Sequence, residues 1–483
     1  MKTQLPRTAT NVDYVRFDHI LLETNKMSKI NNQKTIQIHP AIDFTDDHAF
    51  VGQIINEGCK ENRYIIRDDK TVIPVTESNL ERAGLTLKQK NCAAYPKWSI
   101  ESRLKFCQGT AEVLKKKQLF ANIKDIFQSY IELPNEKLYD YLTLWTIGTY
   151  FFPLFNTYPY VYVGGISQTG KTKLLTLCSC LSFNGVPSTH MTTSILYRII
   201  ESSRCSLFID EREDLRNKAK NGDFRNILLG GYKKGFPVFR NKKISDDYEP
   251  QSYDVYSPKM LANIEGLESV LNSRCLDIIM LRGSNPTVTN KEIILDDPAW
   301  QERRDNLFVF LMNSWKSIKN IYLEMNEETI INREWELWRP ILSLAKFFEN
   351  SLLTKMREYA LETALERQGN NDIDLHEHLL VSTLLTIVDE DSFYNLSLLK
   401  DEFGKYFEYT HWLHERYIGK LLRKLGFNKR RRVGAGCQYF FSVKKVKDLA
   451  QILGIKPDSE DSELSVGTAE HQGENCLDHV EEM

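Results

Sequence analysis

Gly165-Ile166-Ser167-Gln168-Thr169-Gly170-Lys171-Thr172 follows the apolar run Val161-Tyr162-Val163 and leads into Leu174-Leu175-Thr176-Leu177. The octet matches GxxxxGK[ST] at every position. The run before it predicts a buried strand, and the residues after it predict a helix. Each residue type has a physical task. Gly165 and Gly170 let the backbone curl, so that the N–H groups of Ser167, Gln168 and Thr169 point inward at phosphate oxygens. The helix start adds partial positive charge at the same place. Lys171 reaches the β- and γ-phosphates, and Thr172 ligates magnesium. A chance match is the alternative reading, and the strand and helix on either side argue against it.

A magnesium-bound triphosphate needs a second acid. Leu207-Phe208-Ile209-Asp210-Glu211 supplies it, as three apolar strand residues followed by a carboxylate pair. Asp210 is read as holding the ion through water, and Glu211 as polarising the attacking water. The pair separates two classes, because a hydrolase needs a carboxylate that activates water and a phosphoryl-transfer kinase does not. The alternative is a buried strand ending in surface acids, since Arg212, Glu213 and Asp214 follow. Met260-Leu261-Ala262-Asn263 is a further apolar strand ending in an amide. Asn263 either touches the γ-phosphate or the attacking water, or simply forms a turn. Arg274 stands just before another apolar run, Leu276-Asp277-Ile278-Ile279-Met280. It is either a surface arginine or a finger supplied in trans to a neighbouring subunit's nucleotide. The trans role requires a ring or another closed oligomer.

Taken in order, GGISQTGKT, LFIDERE, YKKGFPVFR and YSPKMLANIEGLESVLNSRCLDIIML resemble the AAA+-like P-loop ATPases of the primase/helicase type found in plasmids, viruses and integrated mobile elements. Glu334-Trp335-Glu336-Leu337-Trp338-Arg339-Pro340 is similar to a helical segment of the same group. The resemblance spans residues 140–345 and implies ATP and Mg2+ as ligands. It implies nucleotide contacts at Gly165, Gly170, Lys171 and Thr172, magnesium and water chemistry at Asp210 and Glu211, a sensor at Asn263 and a finger at Arg274. It also implies a basic hairpin between the acid pair and the sensor strand. No primase signature is visible before residue 136.

The 483 residues are 42% hydrophobic and 27% charged, proportions of a soluble globular chain of about three domains. They exclude collagen, coiled coil and wholesale disorder. The net charge of -2 conceals a division: Pro457–Met483 carries nine acids and no Lys or Arg. The rest has 63 basic against 65 − 9 = 56 acidic residues, a surplus that suits a polyanionic partner. Nine cysteines without a CxxC pair indicate reduced thiols in a cytoplasmic setting. The pairs His376/His378 and His411/His414 lack zinc-ligand spacing. Tyr141 to Gly170 holds no charged residue, which is long enough to span a bilayer. Pro153, Asn156, Pro159 and the phosphate loop favour a buried helix followed by a buried strand, so no membrane is expected. The opening MKTQLPRTATN is no signal peptide.

The fold class expected is α/β: a P-loop NTPase domain with a parallel sheet between helices, a small N-terminal α+β region, and a C-terminal winged helix. The order expected is a leader (1–35), a β-rich then helical region (36–135), the P-loop domain (136–330), a helical segment (331–371), the winged-helix domain (372–456) and a tail of disordered composition (457–483).

Two stretches suit nucleic acid. Gly231 to Lys243 holds five basic and three aromatic residues, and a hairpin there would present Lys233, Lys234 and Arg240 to a nucleic-acid backbone. A solvated hairpin is the alternative. Near the C-terminal end, three helical patches are followed by Asn428-Lys429-Arg430-Arg431-Arg432-Val433 and a glycine turn. In the third patch Arg416, Lys420 and Lys424 step by four with Arg423 beside them, as on a recognition helix. With Lys429, Arg430, Arg431 and Arg432 on the wing, residues 403–447 hold twelve basic and two acidic residues. A protein-contact surface is the alternative.

The reading is an ATP-hydrolysing DNA motor, a replicative helicase or translocase of a mobile genetic element, assembled as a homo-oligomeric ring such as a hexamer. The alternative is a nucleotide-switched DNA-binding initiator or regulatory ATPase without processive unwinding.

Overall fold

Apolar residues that alternate in short runs between residues 35 and 90 zip into sheets. In this computed structural model the described residues are 35–455, apart from 58–59, 90–91, 93–95, 190, 211–217, 245–246, 265, 370–371, 408–409, 411–412, 435 and 453–454. They divide into two units at Thr363 and Ala364.

The first unit opens with β1 (Ile36–Ile38), β2 (Ile42–Phe44), β3 (Ala49–Glu57), β4 (Lys60–Arg67), β5 (Val72–Pro74), α1 (Glu77–Arg82) and β6 (Leu85–Leu87). Strands β2 to β5 form an antiparallel meander, while β1 and β6 pair in parallel. The period of two buries both faces. Ile42, Val51 and Ile66 join the main core, and Phe50, Ile65 and Ile73 pack with Ile38 and Leu85.

Helices follow: α2 (Ile100–Gln108), α3 (Lys116–Tyr130) and α4 (Glu136–Gly148). Ser99 caps α2 by accepting from the Ser102 amide, and Gly109 ends it in the left-handed region at φ 76°. Helix α3 buries Leu119, Ile123 and Phe127, one side chain per turn. Helix α4 is buried from Leu138 onward; the one charged side chain in that stretch, Asp140, is paired with Lys124 and Lys355, and from Tyr141 on the helix is uncharged. No helix among the described residues is long and apolar enough to cross a membrane.

The central layer comprises β7 (Tyr160–Gly164), α5 (Lys171–Leu181), β8 (Val186–Ser188), α6 (Thr193–Ser203), β9 (Leu207–Ile209), α7 (Lys218–Gly230), β10 (Val238–Ile244), β11 (Asp247–Tyr253), β12 (Lys259–Ala262), α8 (Ser269–Asn272), β13 (Cys275–Ile279) and α9 (Pro286–Thr289). Five of these strands form a parallel sheet in the order β13-β7-β12-β9-β8. Strands β7, β9 and β12 are buried throughout, as strands covered on both faces must be. Pro187, which has no N–H to give a ladder, lies on the edge strand β8. Strands β10 and β11 stand apart as an antiparallel hairpin. Helices α10 (Pro298–Glu324), α11 (Asn332–Phe348) and α12 (Asn350–Gly369) close the series. Trp315, Trp338 and Leu342 add to the same core.

The second unit contains α13 (Asp372–Ile387), β14 (Ser392–Asn395), α14 (Leu396–Gly404), α15 (Glu415–Lys424), β15 (Arg430–Val433), β16 (Gly436–Phe441) and α16 (Val443–Ile452). Its three strands are antiparallel in the order β14-β16-β15. Leu384, Leu399, Phe403, Ile418, Leu422 and Phe441 form its core. Strand β14 and helix α16 are additions to the three helices and hairpin expected.

One expectation needs correction. The hairpin lies not over 231–243 but over Val238–Tyr253. Residues 231–234 are pinned instead: the Tyr158 amide donates to Tyr232 O at 2.8 Å, and the Lys234 amide to Asn156 O at 2.9 Å.

Candidate functional site

Because the sheet is parallel, the C-terminal ends of its strands share one edge. The chain leaving β7 there curls tightly. Gly165 has φ 135° and Gly170 φ 89°, and Gln168 takes φ 64° between them. Both glycines occupy a region that disfavours side chains. Gly165 is crowded as well, since a Cβ there would lie 2.5 Å from the Met280 carbonyl oxygen. The Thr169 hydroxyl closes the loop by donating to Ile166 O at 3.0 Å. Lys171 opens α5 and is only 9% exposed. Its Nζ donates to Gly165 O at 2.7 Å and to Ile166 O at 2.8 Å. The loop is thus wrapped around an ammonium group, and the free N–H groups of the α5 start face the same space.

A cavity of about 310 Å3 lies over this loop, lined by Ser167, Gln168, Thr169, Gly170, Lys171 and Thr172, and by Asp210 and Asn263. Strand order explains the convergence. Leu261 pairs with Tyr162 on one side and with Ile209 on the other. Asn263 therefore ends the strand lying between the loop strand and the acid strand. Asp210 sits two strand spacings from β7, about 10 Å. The Asp210 residue is 7% exposed, and its amide donates to Ser188 O at 3.1 Å. Glu211 lies outside the described residues.

Asn263 serves a turn and faces the cavity at once. Its Oδ1 accepts from the Tyr162 hydroxyl at 3.0 Å and from the Gly266 amide at 2.9 Å, and its Nδ2 donates to Gly266 O at 3.1 Å. The turn reading and the cavity reading are compatible in one residue.

Arg274 lies elsewhere. Its carbonyl accepts from the Tyr160 amide at 3.1 Å, at the start of β7. Its Nε donates to Leu229 O at 2.9 Å, its Nη1 to Val270 O, and its guanidinium lies 5.3 Å from the Tyr232 ring. Partial burial and the nearby Arg333 lower its pKa. It faces the N-terminal edge of the sheet, away from the loop of its own chain.

The cations expected on the first hairpin divide into two sets. Lys233 pairs with Glu336 at 2.7 Å, and Lys234 turns its Nζ to Pro153 O. Burial pushes the Lys234 amine down to about 8, with Arg204 adding to the effect. Both side chains thus have partners within the protein, while Lys233 stays partly exposed and the Lys234 residue as a whole exposed. Arg240 is on the hairpin, 3.4 Å from Asp223 and 5.6 Å from the Tyr197 ring. The exposed groups of the hairpin include Phe239, at 63% exposure, with Lys242 and Lys243. Those two lysines were part of the basic stretch but were not singled out.

In the second unit a groove of about 730 Å3 runs between α15 and the β15–β16 hairpin. Five arginines line it: Arg416 and Arg423 from the helix, and Arg430, Arg431 and Arg432 from the strand. Gly419 lets the helix approach, since a Cβ there would meet the Tyr439 hydroxyl at 3.2 Å. Arg431 is held in place, with Nε donating to Gln438 Oε1 at 2.8 Å and the guanidinium 4.1 Å from the Phe393 ring. Lys429 lies 4.1 Å from the Phe440 ring. The face presented to the groove thus differs from the ladder read in the sequence. Lys420 is exposed but outside the lining, and Lys424 forms an ion pair with Glu377. Arg423, which the sequence places beside the ladder, is the cation that joins Arg416 at the groove, and its spacing of seven from Arg416 puts both on one helix face.

Among the described residues no cluster of three His, Cys, Asp or Glu side chains suits a metal ion. No known family matches the sequence, and no curated protein matches it. Among solved structures, that of SCCmec type IV Cch, an active helicase, is 12% identical over 92% of this chain and 86% of that chain, with a TM-score of 0.41. An apo structure of the NrS-1 C-terminal region is 12% identical over 81% of this chain and 97% of that chain, with a TM-score of 0.31. A likeness this partial leaves the fold to be defined by the strand order and the loop geometry themselves.

Proposed function

We propose that the chain is an ATP-hydrolysing DNA motor, a helicase or translocase of the mobile-element type, working as a closed ring. The observation that carries this reading is the meeting of Lys171, Thr172, Asp210 and Asn263 at one cavity. The donor set suits a magnesium-bound triphosphate. The curled loop and the α5 start offer N–H groups to phosphate oxygens. Lys171 exchanges two loop carbonyls for phosphate oxygens and keeps its charge compensated. Thr172 and Asp210 are the residues to hold magnesium, which would neutralise charge on the phosphates. Glu211 is assigned the activation of water from its place in the sequence beside Asp210.

Movement on DNA is assigned to the β10–β11 hairpin, with Phe239, Lys242 and Lys243 as its contact groups. The second unit acts as a winged helix whose five-arginine groove takes duplex phosphates. Arg274 then acts on the nucleotide of a neighbouring copy. The alternative of a switch ATPase is favoured by one observation: Arg274 is tied to carbonyls of its own chain, and assembly would have to release it.

ATP hydrolysis measured with and without single-stranded DNA, beside strand displacement and native mass, decides. A motor shows strong stimulation, directional displacement and a closed oligomer. Slow hydrolysis indifferent to DNA would leave the switch, and absence of hydrolysis would sink both.

A further inference from the structure

The groove of the second unit concentrates positive charge that its own lining does little to offset. Five guanidinium groups face it, and Glu415 is the acid among the residues that line it. Strand β15 is exposed along its whole length. Aromatic backing at Phe393 holds Arg431 ready rather than loose. Such a groove attracts any polyanion within reach.

The chain supplies one. Residues 457–483 contain nine acids and no Lys or Arg, and four of the acids, Asp458, Glu460, Asp461 and Glu463, fall within six positions. This segment follows α16, which packs in the same unit as the groove. Extended chain covers about 3.3 Å per residue, so the segment reaches up to about 90 Å. A unit of this size is only about 30 Å across. Every part of the groove is therefore within its span. Tethering at that distance gives an effective concentration on the order of millimolar, enough for weak charge pairing to compete with non-specific DNA.

We infer that residues 457–483 occupy the arginine groove of their own chain and compete there with nucleic-acid phosphates. The contact itself stands on charge and reach; its effect on DNA rests on the function proposed above. The acids pair with Arg416, Arg423 and Arg430 to Arg432 in place of phosphates. Specific or multiple DNA contacts displace the segment, while isolated phosphates do not. The segment thereby sharpens discrimination between a DNA site and bulk nucleic acid.

The test compares the full chain with a form ending at residue 456 and with a full chain in which Asp458, Glu460, Asp461 and Glu463 become Asn or Gln. Binding to a short fluorescein-labelled duplex of arbitrary sequence is read by anisotropy over a salt series. Truncation should tighten binding about tenfold at low salt, with the gap closing as salt screens the pairs, and neutralisation should give part of that gain. Equal affinities of all three forms would overturn the inference while leaving DNA binding intact. If none binds the duplex, the DNA reading fails, and hydrogen exchange without DNA then judges the contact alone. Faster exchange of the Arg430–Phe441 amides in the truncated form supports it, and unchanged exchange rejects it. Protection that rises with protein concentration would place the segment in another copy's groove and reject the intrachain form.

Discussion

Lys171 and Arg274 belong to opposite edges of one parallel sheet. Lys171 follows the C-terminal end of β7, whereas the Arg274 carbonyl accepts from Tyr160 at its beginning. Five residues of strand separate the two levels, about 16 Å. Within one chain Arg274 is too far from the loop to touch the same nucleotide. A role for it in hydrolysis therefore requires a second copy. Arg274→Ala and Lys171→Ala should each lower ATP turnover by about a thousandfold. Mixing them should restore part of the activity, because some interfaces then pair an intact loop with an intact arginine. ATPase assays across mixing ratios provide the check, and a flat line at the level of the single variants would deny the shared site.

The loop glycines make a second prediction. Gly165→Ala places a Cβ against the Met280 carbonyl at φ 135°. A strained backbone of this kind costs about 1–3 kcal/mol, and the contact adds to it. Gly235 also has positive φ, at 87°, but a Cβ there meets nothing within 4 Å. Affinity for a fluorescent ATP analogue should fall at least tenfold in Gly165→Ala and stay near normal in Gly235→Ala. Equal affinities would mean that the loop is softer than its geometry implies.

The parallel sheet and its cavity were legible because strand–loop–helix signals are local. The glycine loop after β7, the Asp210 strand and the Asn263 strand each announce themselves within about ten residues. The basic hairpin was misplaced because its second strand, Asp247–Tyr253, is polar and carries Pro250, so no apolar alternation marks it. The fate of Lys233 and Lys234 was invisible for another reason. Their partners, Glu336 and the Pro153 carbonyl, are about a hundred residues away, and no periodicity reports such contacts. Arg423 stood only beside the ladder in the sequence because a step of four ranks Lys420 and Lys424 first, and only the approach of β16 to Gly419 reveals which helix face meets the hairpin.

His39 ties the N-terminal sheet to α6 in a pH-dependent way. Its Nδ1 accepts from the Ala41 amide at 3.1 Å, and its Nε2 donates to Glu201 O at 2.7 Å. The ring must therefore be neutral. Burial, reinforced by Arg204, lowers its pKa from 6.5 to about 3. The unfolded chain binds the proton first as pH falls, so this group's contribution is complete above pH 6.5 and is lost between there and about 3. The loss approaches about 1.4 kcal/mol per pH unit within that window. His39→Gln should melt lower at neutral pH yet lose less on acidification. Melting curves between about pH 7 and about pH 5 compare the two slopes, and parallel slopes would remove His39 as the cause.

The groove in the second unit gives the last prediction, because it ranks cations differently from the helix ladder. Arg416 and Arg423 face β15, whereas Lys424 is engaged by Glu377 and Lys420 lies outside the lining. If the groove takes DNA phosphates, Arg423→Ala should weaken duplex binding uniformly across sequences and reduce the salt slope by about one. Lys420→Ala should change affinity by less than about threefold, as expected for a solvated charge beyond contact range. Lys424→Ala should act mainly on stability, by leaving Glu377 without its cation. Arg431→Ala should cost more than either lysine, since Phe393 and Gln438 hold its guanidinium before any ligand arrives. Salt-dependent anisotropy titrations of the four variants order them directly. A larger loss at Lys420 than at Arg423 would mean that DNA lies along the outer face of α15 rather than in the groove.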